Sequence, residues 1–368
     1  MDLEVLQENS SKALSITSRF VSSRAQLPVL ANILLKADKT KMIVSGTNLE
    51  TSASISLGAK IKEDGELTIP AKTFFEVVGN LMPGPVHLTS EKESLKITGS
   101  GFSGRISGMN ASDFPKVPQT IKKDESIDLS KTEFLKALPQ VSFAVSSDEG
   151  RPVLTGILFI LSKRSMSLVA TDGFRLSRKT ISLESVGKEI KTIIPKNILL
   201  EVSREGEENE NILLDVKEKE KQVIFGLDNL ILSSRVLEGE FPDFEKIIPK
   251  SSSVKVRVDK EELLRAVKLA SVFARDSANI VKINIMKDSI KLSAESSQVG
   301  NQETVIDAKV EGELIEISFN YKFLEDFLRA VVGEEVLMEF NNASSPGVFT
   351  DPKDPDFLHL IMPVKIQS

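Results

Sequence analysis

The sequence lacks several residues that enzymes use for catalysis. Among 368 residues there is no cysteine, no tryptophan, one tyrosine and two histidines. Without cysteine the chain has no disulfide, no thiolate metal site and no Cys nucleophile. With His87 and His359 alone, a histidine-based metal centre or a Ser-His-Asp triad is nearly excluded. The phosphate-loop motif G-x-x-x-x-G-K-[ST] is also absent. These absences favour a protein without cofactor or catalytic activity.

Long hydrophobic runs are missing as well. No stretch approaches 18 uninterrupted apolar residues, so no membrane span and no membrane partner are expected. The first 20 residues have no basic segment followed by an apolar run, so we expect no signal peptide and a cytoplasmic location. At about 150 residues per domain, the length predicts two or three domains.

An internal repeat organises the sequence. A β-like run turns into a helix-like run at Pro70, Pro195 and Asn320, which are spaced 125 residues apart. Proline in the first helical turn and asparagine as a cap both fit a helix start. Other similar segments recur at nearly the same interval: 12–14 with 136–138 and 265–267, 46–50 with 170–174, and 113–115 with 240–242. We predict three tandem copies of one domain, at 1–122, 123–250 and 251–368.

Each copy shows a mixed pattern. Apolar spacing predicts a first helix at 9–22, 131–146 and 259–275 and a second at 72–82, 196–205 and 320–332. Alternating segments at 41–45, 95–98, 222–225 and 289–293 predict strands with one buried face. The predicted fold class is therefore α+β, with two helices per copy packed on antiparallel sheets.

Charge is unevenly distributed although the net charge is −6. Residues 9–37 contain no acid, whereas 205–210 and 217–221 are rich in glutamate. Two interpretations remain open: a basic inner face on an acidic body, or a set of solvated helix faces. Aromatic residues do not alternate with the cations, which disfavours base stacking on single strands.

Five motifs, in order, resemble the family of bacterial DNA polymerase sliding clamps, the polymerase β subunits. They are LPVLANILL at 27–35, IPAKTFF at 69–75, ATDGFRL at 170–176, EFPDF at 240–244 and IMPVK at 361–365. The resemblance covers residues 1–368. It implies a head-to-tail homodimeric ring that encircles double-stranded DNA independently of sequence. It also implies no catalysis, no cofactor, opening by a clamp loader complex, docking of the replicative DNA polymerase and other clamp-binding-motif proteins, and association with the bacterial replisome.

The resemblance also implies three sets of functional residues. The DNA-binding set is Arg24, Lys72, Arg151, Arg175 and Lys196. The peptide-binding cleft set is Leu154, Thr171, Gly173, Phe174, Arg175, Leu176, Pro242, Lys246, Ile247, Ser345, Pro346, Leu360, Met362, Pro363 and Val364. The dimer-interface set is Phe75, Val78, Leu81, Ile106, Val272 and Phe273. Phe174 stands where many relatives have histidine, which makes the predicted cleft more apolar.

Two other hypotheses remain open from the residues. Asp172, Asp148 and Glu149 could hold Mg²⁺ in a phosphoryl-transfer or nucleic-acid enzyme, although no base or nucleophile partner is evident. Asp172 has an alternative role as a turn residue before Gly173. The third hypothesis is an interaction scaffold that does not bind DNA.

Overall fold

The computed structural model describes residues 1–22, 27–184, 189–205 and 211–365. The chain forms two compact units. Unit 1 contains Met1–Thr132 and Asn197–Val236, and unit 2 contains Glu133–Lys196 and Leu237–Ser368. Residues of the predicted central copy thus contribute to both units, and the predicted copy boundaries stay a prediction. None of the helices in the described ranges has the length and apolarity needed to cross a lipid bilayer.

Runs of strands separate the helices along the chain. Over the described ranges the α-helices are α1 Gln7–Thr17, α2 Ala71–Gly79, α3 Lys131–Ser142, α4 Lys196–Arg204, α5 Lys260–Ala274 and α6 Tyr321–Ala330. The first strands are β1 Asp2–Leu6, β2 Asn32–Asp38, β3 Lys41–Thr47, β4 Thr51–Gly58, β5 Lys60–Glu63, β6 Gly65–Pro70, β7 Pro85–Glu91, β8 Ser94–Gly99 and β9 Phe102–Ser107. The next are β10 Ile127–Ser130, β11 Gly156–Ser162, β12 Ser165–Thr171, β13 Arg175–Ser182, β14 Ile190–Pro195, β15 Asn211–Lys217, β16 Gln222–Leu227 and β17 Leu230–Arg235. The last are β18 Val254–Asp259, β19 Ile280–Ile285, β20 Ser289–Ser296, β21 Gly300–Asp307, β22 Lys309–Glu311, β23 Glu316–Asn320, β24 Glu335–Phe340, β25 Gly347–Asp351 and β26 Asp354–Ile361.

Unit 1 contains two antiparallel sheets among its described residues. The smaller has the strand order β5-β1-β7-β8-β9, and the larger has the order β10-β15-β16-β17-β4-β3-β2-β6. The larger sheet joins strands that lie far apart in sequence, because β17 pairs with β4 and places Leu230 opposite Ile55. Ser52 and Ser233 form a buried hydroxyl hydrogen bond of 2.7 Å across the same seam.

Unit 2 repeats this arrangement in its described part. Its larger sheet has the order β14-β11-β12-β13-β26-β25-β24-β18-β22, and its smaller sheet has the order β21-β20-β19-β23. Here β13 pairs with β26, with Leu176 opposite Leu360. The β13–β26 seam joins strands from the central and last copies, just as β4–β17 joins strands from the first and central copies.

The second helix of each copy begins where the repeat predicted. Pro70 is the cap of α2, Lys196 opens α4 directly after Pro195, and Asn320 is the cap of α6. The Asn320 side chain accepts a hydrogen bond from the Lys322 backbone N–H at 3.0 Å. Both residue types satisfy a helix start, since proline has no N–H to leave unpaired and asparagine accepts one. The predictions of two helices per copy and of antiparallel sheets are confirmed.

The core of unit 2 contains a stacked aromatic group around a buried histidine. His359 is 0% exposed and its ring stacks on Phe327 at 5.4 Å between centroids. Its Nδ1 lies 2.6 Å from the Ser177 hydroxyl, and its Nε2 has no hydrogen-bond partner among the described atoms. Burial, reinforced by the positive charge of Arg175, holds the pKa of His359 well below its ordinary value. The folded protein therefore keeps this imidazole neutral.

A neutral buried histidine makes stability depend on pH. Because its folded pKa is lowered, only the unfolded chain takes up a proton near pH ~6.5, so the free energy of unfolding falls as pH drops below that value. We expect wild type to lose about 1.4 kcal/mol per pH unit more than His359→Phe between about pH 6.5 and 5. Urea denaturation of both proteins across this range measures the difference. Parallel pH profiles would contradict it.

Candidate functional site

An apolar cluster in unit 2 contains the innermost of the predicted cleft residues. Leu154, Leu176 and Leu360 are 5%, 0% and 0% exposed and pack together. They come from the short 3-10 turn Pro152–Leu154 and from the paired strands β13 and β26. The other buried members of the cluster are Leu158, Val169, Ile193, Phe241 and Phe244. These three predicted residues therefore form a buried floor beneath the proposed cleft and are not exposed to a ligand.

Exposed apolar side chains lie next to this floor in the chain. Phe174, Ile247 and Met362 are 62%, 43% and 36% exposed. The Met362 backbone N–H donates to the Phe174 carbonyl at 2.9 Å, so the turn before β13 and the segment after β26 are side by side. Large apolar groups left in water next to a buried apolar floor are typical of protein-interaction sites.

The Phe174 turn is held by its own side chains. The Thr171 hydroxyl donates to the Arg175 carbonyl at 2.6 Å and accepts from the Gly173 N–H at 3.1 Å. Asp172 Oδ1 accepts from the backbone N–H groups of Phe174 and Arg175 at 2.9 and 3.0 Å. Gly173 has a φ of +94°, where a side chain would be strained. The turn therefore presents Phe174 outward in a fixed position.

Arg175 was predicted for both DNA and cleft contact, and the structure places its side chain against internal partners. Its side chain is 10% exposed. Its Nε donates to Asp172 at 3.0 Å, its Nη1 to Asp326 at 2.6 Å and its Nη2 to the Phe143 carbonyl at 2.7 Å. The guanidinium also lies 4.5 Å from the centroid of the Phe323 ring. A DNA phosphate would have to replace these internal partners, so Arg175 is a structural group beside the cleft.

The remaining predicted cleft residues lie on three surface segments. Pro242 is exposed, and Lys246 pairs with Asp243 at 2.8 Å on an exposed turn. Lys246 donates a hydrogen bond that lowers the pKa of Asp243. Ser345 and Pro346 directly precede β25, whose Gly347 pairs with Ile361. Pro363 and Val364 follow Met362, and the Val364 N–H donates to the Ser318 carbonyl at 2.8 Å.

Two phenylalanines of the floor are not among the predicted cleft residues. Phe241 and Phe244 flank the predicted residue Pro242 and are 7% and 5% exposed. Their rings meet edge to face with centroids 6.5 Å apart. Both lie in the motif EFPDF at 240–244, so its two aromatic residues were the available signal.

The predicted DNA-binding residues differ in solvent exposure and in the partners that they already have. Arg24 lies outside the described residues. Lys72 is exposed near the start of α2, while Arg151 is about half exposed and pairs with Asp148 at 2.9 Å. Lys196 is half-buried, and burial together with the charge of Arg175 lowers its pKa.

A set of aligned cations was recognised in the repeat but not assigned to DNA. Lys12, Lys136 and Arg265 occupy the same position in the first helix of each copy, and all three are exposed. Their recurrence at intervals of 124 and 129 residues was the signal available in the sequence.

The predicted interface residues divide by burial. Phe75 and Val272 are 36% and 49% exposed, while Leu81, Ile106 and Phe273 are partly buried. Val78 is 1% exposed in the core of unit 1, and its carbonyl accepts the buried Gln7 side-chain amide at 2.7 Å. The prediction for Val78 is therefore corrected, because the chain itself already covers this side chain.

Two strands, one from the first copy and one from the last, each terminate a sheet. β9 is the last strand of the smaller sheet of unit 1, and β21 is the last strand of the smaller sheet of unit 2. Ile106 belongs to β9. Leu269 and Val305, on α5 and β21, are exposed by 50% and 57%. Unpaired strand edges with adjacent apolar groups can pair with another chain.

Two of the three residues considered as magnesium ligands, Asp172 and Asp148, have other partners in the structure. Asp172 is engaged by two backbone N–H groups and by Arg175, which is the turn role described above. Asp148 accepts from the Gly150 N–H at 2.9 Å and pairs with Arg151. In the described part of the chain, no group of three or more acids or histidines could hold a metal ion.

Comparison with known proteins identifies the family. Three family models match consecutive parts of the chain: the N-terminal domain of the DNA polymerase III beta subunit at 1–118, its central domain at 128–243 and its C-terminal domain at 245–365. A beta sliding clamp from Staphylococcus aureus strain Mu50 is 30% identical over an alignment of 376 positions, which covers 99% of each protein.

Solved structures agree with the sequence matches. The DNA polymerase sliding clamp of Bacillus subtilis is 26% identical, with a TM-score of 0.93 over 100% of both chains. A putative DNA polymerase III beta subunit from Eubacterium rectale ATCC 33656 is 26% identical, with a TM-score of 0.92 over 100% of both chains. The chain therefore belongs to the DNA polymerase III beta subunit family, the bacterial sliding clamps, which are non-catalytic processivity factors.

Proposed function

We propose that two copies of this chain close head to tail into a ring around duplex DNA. The observation that supports this most strongly is the repeated edge pairing. β4, β13 and β21 each have eight residues and start at intervals of 124 and 125 residues. β4 pairs with β17 and β13 pairs with β26, while β21 ends its sheet.

The missing neighbour of β21 is expected to be a strand like β17 and β26. β9 is that strand in the first copy, because it begins 128 residues before β17 and also ends its sheet. Pairing of β21 with β9 of a second copy is heterologous, and two such contacts related by a twofold axis close a ring of six domains. Both edges would then be removed from solvent.

Sequence-independent DNA binding follows from the type of contacts available. Exposed cations such as Lys12, Lys72 and Arg265 lie on helices of the repeated copies. Lysine and arginine bind phosphates without reading bases, and weak phosphate contacts permit sliding. Retention would then depend on encirclement more than on affinity.

The apolar cleft of unit 2 is proposed to bind short peptides of partner proteins. Those partners are the replicative DNA polymerase, other replication and repair proteins, and the clamp loader that opens the ring. The relatives are sliding clamps and DNA polymerase III beta subunits by name, which supports a location at the replication machinery in the bacterial cytoplasm.

Encirclement predicts a dependence on DNA topology. After loading onto a nicked circular plasmid by a clamp loader and ATP, the protein should remain bound through gel filtration. Linearising the plasmid should release most of it, because the ring slides off free ends. Equal retention on circular and linear DNA would refute encirclement and would favour simple electrostatic binding.

Ring closure predicts that apolar groups beside β21 stabilise the dimer. Leu269→Ala or Phe273→Ala should weaken dimerisation by about 2 kcal/mol, or roughly 30-fold in dissociation constant, since each removes a large apolar contact. Sedimentation equilibrium measures this constant. Val332→Ala is the matched control, because Val332 is 80% exposed and lies on neither edge. Equal dissociation constants for all variants would contradict this interface.

Peptide binding predicts a local effect of the exposed cleft residues. Phe174→Ala combined with Met362→Ala should weaken binding of a short peptide with Leu and Phe anchors by about tenfold or more, because both expose large apolar side chains. The dimer dissociation constant should not change. Fluorescence anisotropy with a labelled peptide measures the affinity, and an unchanged value would remove the cleft assignment.

A further inference from the structure

A carboxylate on α6 reaches the base of the Phe174 turn. Asp326 Oδ2 lies 2.6 Å from Nη1 of Arg175, and the Asp326 side chain is 39% exposed. Asp326 is 151 residues from Arg175 in sequence, and it belongs to none of the residue sets predicted for the cleft, the DNA or the dimer. The contact therefore joins the cleft turn to the second helix of the last copy.

Arg175 connects three separate segments of unit 2. Its guanidinium binds Asp172 in the turn, Asp326 on α6 and the Phe143 carbonyl just after α3. The Phe323 ring packs against its face at 4.5 Å. A guanidinium is planar and its donors are fixed relative to one another, so each of these hydrogen bonds restricts the orientation of the whole group.

The position of Phe174 depends on the same group. Asp172 uses Oδ2 for the Arg175 side chain and Oδ1 for the backbone N–H groups of Phe174 and Arg175. The Phe174 carbonyl in turn accepts the Met362 N–H at 2.9 Å. A displacement of the Arg175 guanidinium would therefore move Asp172, the Phe174 backbone and the Met362 segment together.

We propose that Asp326 is a positioning residue for the peptide cleft, which acts through Arg175 to hold Phe174 and Met362 in their binding geometry. The proposal rests on the proposed function of the cleft as a peptide site. Holding the turn before the peptide arrives reduces the conformational entropy lost on binding. Asp326 also offsets positive charge, because its carboxylate attracts both Arg175 and the half-buried Lys196.

The test compares two acidic residues that are neighbours on α6. Asp326→Ala should weaken a fluorescein-labelled peptide with Leu and Phe anchors by about fivefold or more in anisotropy titrations of the full-length protein. Glu325→Ala is the matched control, because Glu325 pairs with Arg329 at 2.5 Å, whereas the polar partners of the Arg175 side chain are Asp172, Asp326 and Phe143. Asp326→Asn keeps the side-chain size and should give a smaller loss. Equal affinities for wild type and Asp326→Ala would overturn the proposal.

A double-mutant cycle separates positioning from general destabilisation. In a Phe174→Ala/Met362→Ala background, Asp326→Ala should change peptide affinity by less than about twofold, because both side chains that it positions are already gone. The same loss in both backgrounds would indicate a structural role and overturn the proposal. A wild-type chain that does not bind the peptide would refute the cleft itself, whereas normal wild-type binding with no Asp326 effect would refute this proposal alone.

Discussion

Antiparallel pairing between strand edges of neighbouring copies is the constraint on which the rest of the structure depends. Each copy alone would leave edge N–H and C=O groups unpaired, and such edges invite uncontrolled association. In this chain β17 covers the edge of β4 and β26 covers the edge of β13. The compact units consequently follow the sheets and not the sequence repeats. A chain of three such copies must still end with one edge of each kind, β9 and β21.

The turn that carries Phe174 has a counterpart in the first copy. The turn at 47–51 repeats the hydrogen bonds of the turn at 171–175: Thr47 bonds the Thr51 carbonyl at 2.9 Å, and Asn48 accepts from Thr51 N–H at 2.7 Å. Its exposed positions are Leu49 and Glu50, where the other turn has Gly173 and Phe174. Leu49 has a φ of +76°, which is costly for a residue with a side chain. The backbone hydrogen bonds are thus present in both copies, whereas Phe174 and Arg175 of the second turn are replaced by Glu50 and Thr51 in the first.

Much of this architecture was predictable because it is encoded locally. Helix starts at Pro70, Pro195 and Asn320 depend on capping chemistry within a few residues, and strand positions depend on alternation along one segment. The burial of Arg175 could not be predicted in this way, since its partners Phe143 and Asp326 lie far away in sequence. The same holds for Val78, whose burial is decided by packing within unit 1. Cleft residues predicted from motifs therefore include exposed side chains, such as Phe174, together with buried side chains that lie beneath them, such as Leu176.

The division between surface and support also clarifies how the proposed ring would work without chemistry of its own. Sliding demands weak contacts with DNA, because strong or base-specific contacts would stop the motion. Recruitment demands the opposite, a preformed apolar site that is ready before its ligand arrives. Exposed helical cations such as Lys12 and Arg265 suit the first requirement, since they lose little solvation. The buried Arg175 suits the second, because its internal partners fix the turn that carries Phe174. In the proposed ring, cations of the same charge would thus meet opposite requirements, and burial would decide which requirement each residue meets.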